Sequence, residues 1–525
     1  MKSTFPTLLL PSGTLLLALS VHAQTAPSTT SPATTSQSPA ATSAPHAGGP
    51  ITPGQGPAAS PAPAPKPLFR AGGFSFSGFL RSRYEKFDWF DAPNFNDSYG
   101  FTGTQLRLSA LRSTPRLDIQ IDGQGTLLTN LPRNSVAPPP QGALGLGANY
   151  FAANGSREGA VYVRQAFVRL KGLSGKGSFA RLGRFEFNDG TETVAKNPTL
   201  AFLKTQRISQ RLIGTFAFSH IGRAFDGAQF SSPTGKTGNF TAVVARPTQG
   251  VFQLDGNPEV KGTSFAYGAF TNSKPNSDVR LFGLIYDDTR DPPASVKVDN
   301  RPLAARTADN KAIRIYTIGA NAIRTIPSRG GTTDLLVWGA VQGGDWGTQK
   351  HSANAFSLEA GFQPKGARFR PWLRAGLFRS SGDRNPLDNR HGTFFAPLYT
   401  PRLYARFPFF NELNNTDLFS SLILRPNTKT NLRLEYHNLR LTSARDLWYS
   451  GGGAFQNTSF GYAGRPSGGK PQLANLVDGS IDFNLDPQTT LSAYYGYAFG
   501  GQVIQNIYPN GKNGSYGFLE FSRKF

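Results

Sequence analysis

Cysteine is absent from all 525 residues. Its absence excludes disulfides, thiolate metal sites and cysteine nucleophiles, and it suits passage through an oxidising compartment where stray thiols are a liability. Beyond the N-terminus the chain also lacks any apolar run of the ~20 residues a membrane helix requires. Acidic residues are scarce: 32 Asp plus Glu stand against 55 Lys plus Arg, a formal charge of +23. An excess of that size calls for an anionic partner. Catalytic signatures are missing as well. His46, His220, His351, His391 and His437 lie outside any Gly-x-Ser-x-Gly elbow or His-Glu-x-x-His helix. Asp383 and Asp388 near His391 read as a solvated polar loop, so we expect no enzyme, no cofactor and no metal site.

What is present begins with Lys2, the apolar stretches Leu8-Leu9-Leu10 and Leu15-Leu16-Leu17-Ala18-Leu19, and the small-residue site Val21-His22-Ala23 before Gln24. Residues 1–23 therefore read as a cleaved secretory signal peptide. Residues 24–68 consist almost wholly of Ala, Pro, Ser, Thr, Gly and Gln, with Lys66 the sole charge. Such a composition buries too little apolar surface to offset its ordering entropy, and we expect a disordered linker or a tether for a periplasmic partner.

From residue 69 to 525 the pattern is period-two alternation without sustained helical periodicity. Phe74, Phe76, Leu80 and Tyr84 oppose Ser75, Ser77, Arg81, Arg83 and Glu85; Leu432, Leu434 and Tyr436 oppose Arg433, Glu435 and His437. The last strand sets Gly517, Leu519 and Phe521 against Phe518, Glu520 and Ser522 and ends on Phe525, with Arg523 a misfit that a rim position would accommodate. Compact turns at Gly172–Gly177, Ser328–Thr332, Pro426–Thr430 and Asp486–Thr489 alternate with long polar loops near Leu131–Glu158, Asp189–Thr205, Ser380–Glu412 and Ser450–Pro471. Short turns on one rim and long loops on the other describe an all-β fold: a large antiparallel transmembrane barrel of the bacterial outer membrane. The length accommodates about 16–18 strands, enough for an aqueous lumen. The 41 Phe and 17 Tyr are expected in the lipid-facing band and its girdles.

Arginine recurs on the polar strand faces with acids beside it: Arg81, Arg83 and Glu85, then Arg107, then Arg184 with Glu186, then Arg433 with Glu435. Its planar fork matches carboxylates and stays charged at any relevant pH. Two readings follow. The pairs stiffen the barrel wall, or they line a path for an anionic solute, and the net charge favours the second. Nucleic acid is excluded as a partner by the signal peptide and the lack of a binding module. Lipopolysaccharide phosphates and a polyanion in the pore remain, and a structural or adhesive barrel binding lipopolysaccharide or a surface glycan is the alternative.

Several segments resemble the bacterial alginate export family. They are Ser77–Glu85, Val163–Leu170 followed by Arg181–Glu186, Gly222–Ala228, Ser381–Asp388 with Thr393-Phe394-Phe395, Leu432–Tyr449, and Gly479–Asp482 leading to Phe499-Gly500-Gly501. The resemblance implies an 18-stranded monomeric barrel whose electropositive lumen passes a polyuronate by diffusion, gated by loops. It carries over Arg81, Arg83, Arg107, Arg164, Arg184 and Arg433 as conduit residues, with Glu85, Glu186 and Glu435 as counter-charges. The Pro-rich leader departs from the family pattern.

Overall fold

In a membrane barrel the solvent is inverted, and this chain shows the inversion residue by residue. Ile318 is 69% exposed on the outer wall, whereas Arg280 is 1% exposed inside. Lipid accepts the apolar side chains and leaves the charged ones only the interior.

The computed structural model describes residues 67–290, 296–401 and 405–525. The signal peptide expected at 1–23 and nearly all of the 24–68 linker lie outside the described residues. Eighteen strands form the wall. The first nine are β1 (Phe74–Asp88), β2 (Ser98–Ser113), β3 (Leu117–Thr129), β4 (Gly159–Lys171), β5 (Phe179–Phe185), β6 (Phe225–Thr234), β7 (Gly238–Pro247), β8 (Thr263–Lys274) and β9 (Ser277–Asp288). The remainder are β10 (Ile313–Pro327), β11 (Gly331–Trp346), β12 (Gln349–Pro364), β13 (Trp372–Ser380), β14 (Asn415–Leu424), β15 (Thr430–Leu441), β16 (Gln472–Asn484), β17 (Thr489–Gly500) and β18 (Asn513–Lys524). Each pairs antiparallel with its successor, and β18 closes on β1 with Glu520 opposite Arg83. Closure leaves no open edge in the hydrocarbon.

The four compact turns expected from sequence all fall on one rim, and the four long loops on the other. The long-loop rim has one exception, the tight Gly347-Thr348 hairpin between β11 and β12, where Gly347 takes φ 62°. By the rule for such barrels the short-turn rim faces the periplasm. No helix among the described residues is long and apolar enough to cross a membrane; the crossing is made by strands.

The lumen is not left open. The connection between β5 and β6, residues 186–224, turns inward and crosses the interior. Asn197 caps its short helix α1 (Pro198–Leu203), accepting from the Thr199 and Leu200 N–H groups, with Pro198 preset for the first turn. A π-helical turn, Lys204–Ile208, follows. Two further long loops pack on this segment: Gly214 donates its N–H to the Leu398 carbonyl at 2.8 Å, and Arg223 holds the Ala454 carbonyl at 2.9 Å.

The aromatic residues depart from expectation here. Some face lipid, such as Tyr495 and Phe499, but Phe87, Phe90, Phe101, Phe185, Phe225 and Phe407 are fully buried inside. Trp89, Phe90, Phe407, Phe409, Trp448 and Tyr516 pack into a cluster, mostly edge to face, with Phe407 and Phe409 centroids 4.9 Å apart. Loops folded into the barrel need an apolar core of their own, and the aromatics supply it.

Gly103 on β2 makes the room the inner segment uses, since a Cβ there would lie 2.2 Å from the His220 ring. We predict that Gly103→Val expels the segment at a cost of about 1–3 kcal/mol. Proteolysis within 186–224 should rise sharply while heat-modifiable gel mobility still reports a closed barrel; unchanged proteolysis would contradict the packing.

Candidate functional site: the lumenal charge network

The inner segment is held by charges from several parts of the wall. On β1, Arg81 donates to the Ala217 and Ser219 carbonyls at 2.8 and 2.6 Å. Arg83 donates to the Phe218 carbonyl at 2.7 Å, to Glu85 at 3.0 Å and to Glu520 of β18 at 3.3 Å. Glu85 also accepts from Tyr516 Oη at 2.6 Å and meets His220 Nε2 at 3.0 Å. Burial, with the Arg83 cation close by, pushes the His220 imidazole down to about 3. It is neutral at physiological pH, so Nε2–H donates to Glu85.

Arg107 on β2 takes Glu186 in a bidentate grip at 2.9 and 3.0 Å, and Arg164 on β4 adds a third bond at 2.7 Å. Glu186 stands at the root of the segment, so these arginines fix where it leaves the wall. Further round, Lys204 pairs with Asp278 of β9 at 2.8 Å, and Arg280 of β9 reaches Glu192 at 3.2 Å. Arg207 donates to Glu435 of β15 at 2.8 Å, and Arg433 donates to the other oxygen of Glu435. Glu359 of β12 is gripped by Arg374 at 2.7 Å. Bidentate, charge-assisted bonds of this kind are the strong ones. Breaking one leaves a buried charge uncompensated, at a cost of about 3–5 kcal/mol.

Of the residues singled out from sequence, Arg81, Arg83, Arg107, Arg164, Glu85, Glu186 and Glu435 are buried in this interior and Arg433 borders it. Arg164 comes inward through a β-bulge: the β3–β4 register skips it between Gln165 and Val163, so Arg164 and Gln165 both face in. Arg184 departs from the expected pattern: alternation puts it on the inward face with Glu186, but Gly183 beside it takes φ 116°, and Arg184 bonds outward-facing Asp226 at 2.6 Å. The left-handed residue breaks the alternation, and a Cβ at Gly183 would lie 2.4 Å from the Ala166 carbonyl.

The sequence reading missed Arg280 and Arg374, although each stands between outward apolar neighbours, Val279 with Leu281 and Leu373 with Ala375. It also missed Lys204, Arg207 and Arg211, for which alternation offers no signal because they lie on the inserted segment. In the polar loop, Asp383 accepts the Asn385 and Gly392 N–H groups, and His391 stacks on Trp346 at 4.1 Å. Both serve the loop's own structure. Among the described residues, Glu435, His437 and Asp478 form the sole group able to offer three ligand atoms within 4.8 Å, but Arg207 and Arg433 already neutralise Glu435.

A pH dependence follows from His220. Its folded value lies below the ordinary ~6.5 of histidine, so its contribution to holding the segment is complete above pH ~6.5 and declines as pH falls toward 3. Hydrogen exchange of residues 215–222 should accelerate through that acid window, and His220→Gln should flatten the profile; an identical profile in the variant would refute the assignment.

Comparison with known proteins agrees with this architecture. No curated protein matches the chain. Among solved structures, it is similar to OccAB1 of Acinetobacter baumannii with a TM-score of 0.52 at 10% identity, covering 86% of this chain and 97% of that one. OccAB2 of the same organism gives 0.53 at 10% identity over 86% and 98%. A BenF-like porin from Pseudomonas fluorescens Pf-5 gives 0.51 at 9% identity, again over 86% and 98%. Identities this low show the fold alone. The sequence model of the family described as Alginate export matches residues 156–514, which span β4 to β17 and the whole inner segment; the chain belongs to the alginate export family of outer-membrane barrels.

Proposed function

We propose that this outer-membrane channel passes an anionic solute, best represented by an alginate-like polyuronate, by diffusion along its arginine-bearing interior. The observation that carries the reading is the form of the pairs that hold the inner segment: Arg107 and Arg164 on Glu186, Arg207 on Glu435. A uronate carboxylate offers the same two oxygens as a glutamate. It can take the place of one arginine partner at a time as the segment moves aside, and the neighbouring acids recapture the arginine behind it. Conduction needs such exchange, since a site that binds too well does not release.

The location of the excess positive charge supports a direction. Expectation placed it in the lumen, yet the inward cations named above each have an acid or carbonyl partner. The short-turn rim is where base goes unanswered. Arg116, Lys176, Lys236 and Arg329 stand on four of its turns, Lys365, Arg368 and Arg370 on a fifth, and Arg425 and Lys429 on a sixth; Asp486 is the acid among these turns. The long loops mix both signs. A basic rim concentrates polyanions at the periplasmic mouth, which favours passage from periplasm to exterior.

Planar-bilayer recordings test the proposal. Replacing residues 189–221 by a short Gly/Ser linker should raise conductance several-fold with anion preference kept. Oligouronates added on the short-turn side should block at lower concentration than on the other side, and neutralising Lys365, Arg368, Arg370 and Lys429 should cut their association rate about tenfold at low salt. Cation selectivity, or currents unaffected by Arg81→Ala, Arg83→Ala and Arg433→Ala together, would overturn it. The filled interior favours a second reading, a structural or adhesive barrel, and an unchanged conductance after segment replacement would establish that one.

A further inference from the structure

The outer wall near the long-loop rim carries several cations, and most are answered by acids. Arg184 meets Asp226 at 2.6 Å, Arg246 meets Glu259 at 3.3 Å, Arg314 meets Asp287 at 2.5 Å, and Lys350 meets Asp345 at 2.6 Å. Arg379 and Arg440 break this pattern. Both are exposed, both stand near the extracellular ends of their strands, and neither has an ion-pair partner among the described residues.

They form a pair of their own. Arg379 of β13 lies opposite Thr416 of β14, and Thr416 lies opposite Arg440 of β15. Two strand spacings, about 10 Å, therefore separate the arginines across one shared neighbour. Thr416 hydrogen-bonds Thr442 at 2.8 Å and adds a small polar floor between them. Toward the membrane centre the same outward rows continue as Leu377 and Leu373 on β13, Leu418, Ser420 and Leu422 on β14, and Asn438, Tyr436 and Leu434 on β15. The acids of β12 to β16, among them Glu359, Asp417, Glu435, Asp478 and Asp482, all point inward and are buried. Two uncompensated cations sit above a largely apolar wall, one residue from the long-loop ends of their strands.

We propose that Arg379 and Arg440 clamp the phosphorylated disaccharide of lipopolysaccharide. Its two phosphates stand at opposite ends of the disaccharide with acyl chains beneath, which matches two separated cations over a leucine-lined wall. Arginine suits the task because its fork takes two phosphate oxygens and is only weakly hydrated. The site is independent of the channel reading, as it lies on the outside of the wall.

Native mass spectrometry of the folded full chain in detergent, with bisphosphorylated lipid A and its dephosphorylated form as probes, tests the clamp. Wild type should retain the bisphosphorylated lipid and discriminate against the dephosphorylated one. Arg379→Ala with Arg440→Ala should weaken retention about tenfold or more. Arg379→Lys with Arg440→Lys should restore part of it, and Arg314→Ala should change nothing. Heat-modifiable mobility verifies folding; if the double alanine variant fails to fold, Arg379→Gln and Arg440→Gln singly carry the test. Equal retention by the arginine variants and wild type, or no preference for the phosphorylated lipid, would overturn the proposal.

Discussion

Every other feature of this barrel depends on the compensation of inward charge. Across the hydrocarbon depth a wall in lipid can expose only apolar side chains, so the charged residues of its strands there have one direction available, and once inside they cannot stay unpartnered. The wall supplies part of the compensation, as when Glu85 and Glu520 answer Arg83. The rest comes from the 186–224 segment, whose carbonyls satisfy Arg81, Arg83 and Arg164 and whose own cations satisfy Asp278 and Glu435. Wall and segment are each the counter-charge of the other, which is why the segment lies inside and does not extend from the rim.

Much of this architecture was legible in the sequence, and the exceptions have identifiable causes. Alternation located the strands and the sidedness of Arg81, Arg83, Glu85 and Glu435, because lipid enforces period two wherever the ladder is regular. It failed where the ladder is irregular. Gly183 in a left-handed conformation turned Arg184 outward, and the bulge at Arg164 brought two consecutive residues in. The fate of a long loop is written in no local periodicity. That the β5–β6 connection folds inward is a property of partners scattered from Arg81 to Glu435, which composition cannot reveal.

The aromatic residues show the same limit from the apolar side. A count of Phe and Tyr cannot tell a lipid-facing girdle from an interior cluster, and here both exist. The interior cluster around Phe90, Phe407 and Trp448 is buried and forms an apolar roof of loop residues at the long-loop end of the barrel. A drier interior strengthens the ion pairs beneath it and raises the cost of leaving any of them open. The roof and the charge network therefore stabilise one another.

The division between lysine and arginine follows the same logic. On the short-turn rim the two are mixed, with Lys176, Lys236, Lys365 and Lys429 among the arginines, because a long-range field requires charge and little geometry. Among the buried cations arginine dominates, with Lys204 on the inner segment and Lys297 in the loop between β9 and β10 the lysines among the described residues. A buried cation that must hold two oxygens needs a rigid fork and a charge that burial does not extinguish; lysine, a point charge whose proton is lost more readily on burial, meets neither requirement. Under the proposed reading, the choice of cation at each depth would separate groups that attract an anion at the rim from groups that hold carboxylates inside.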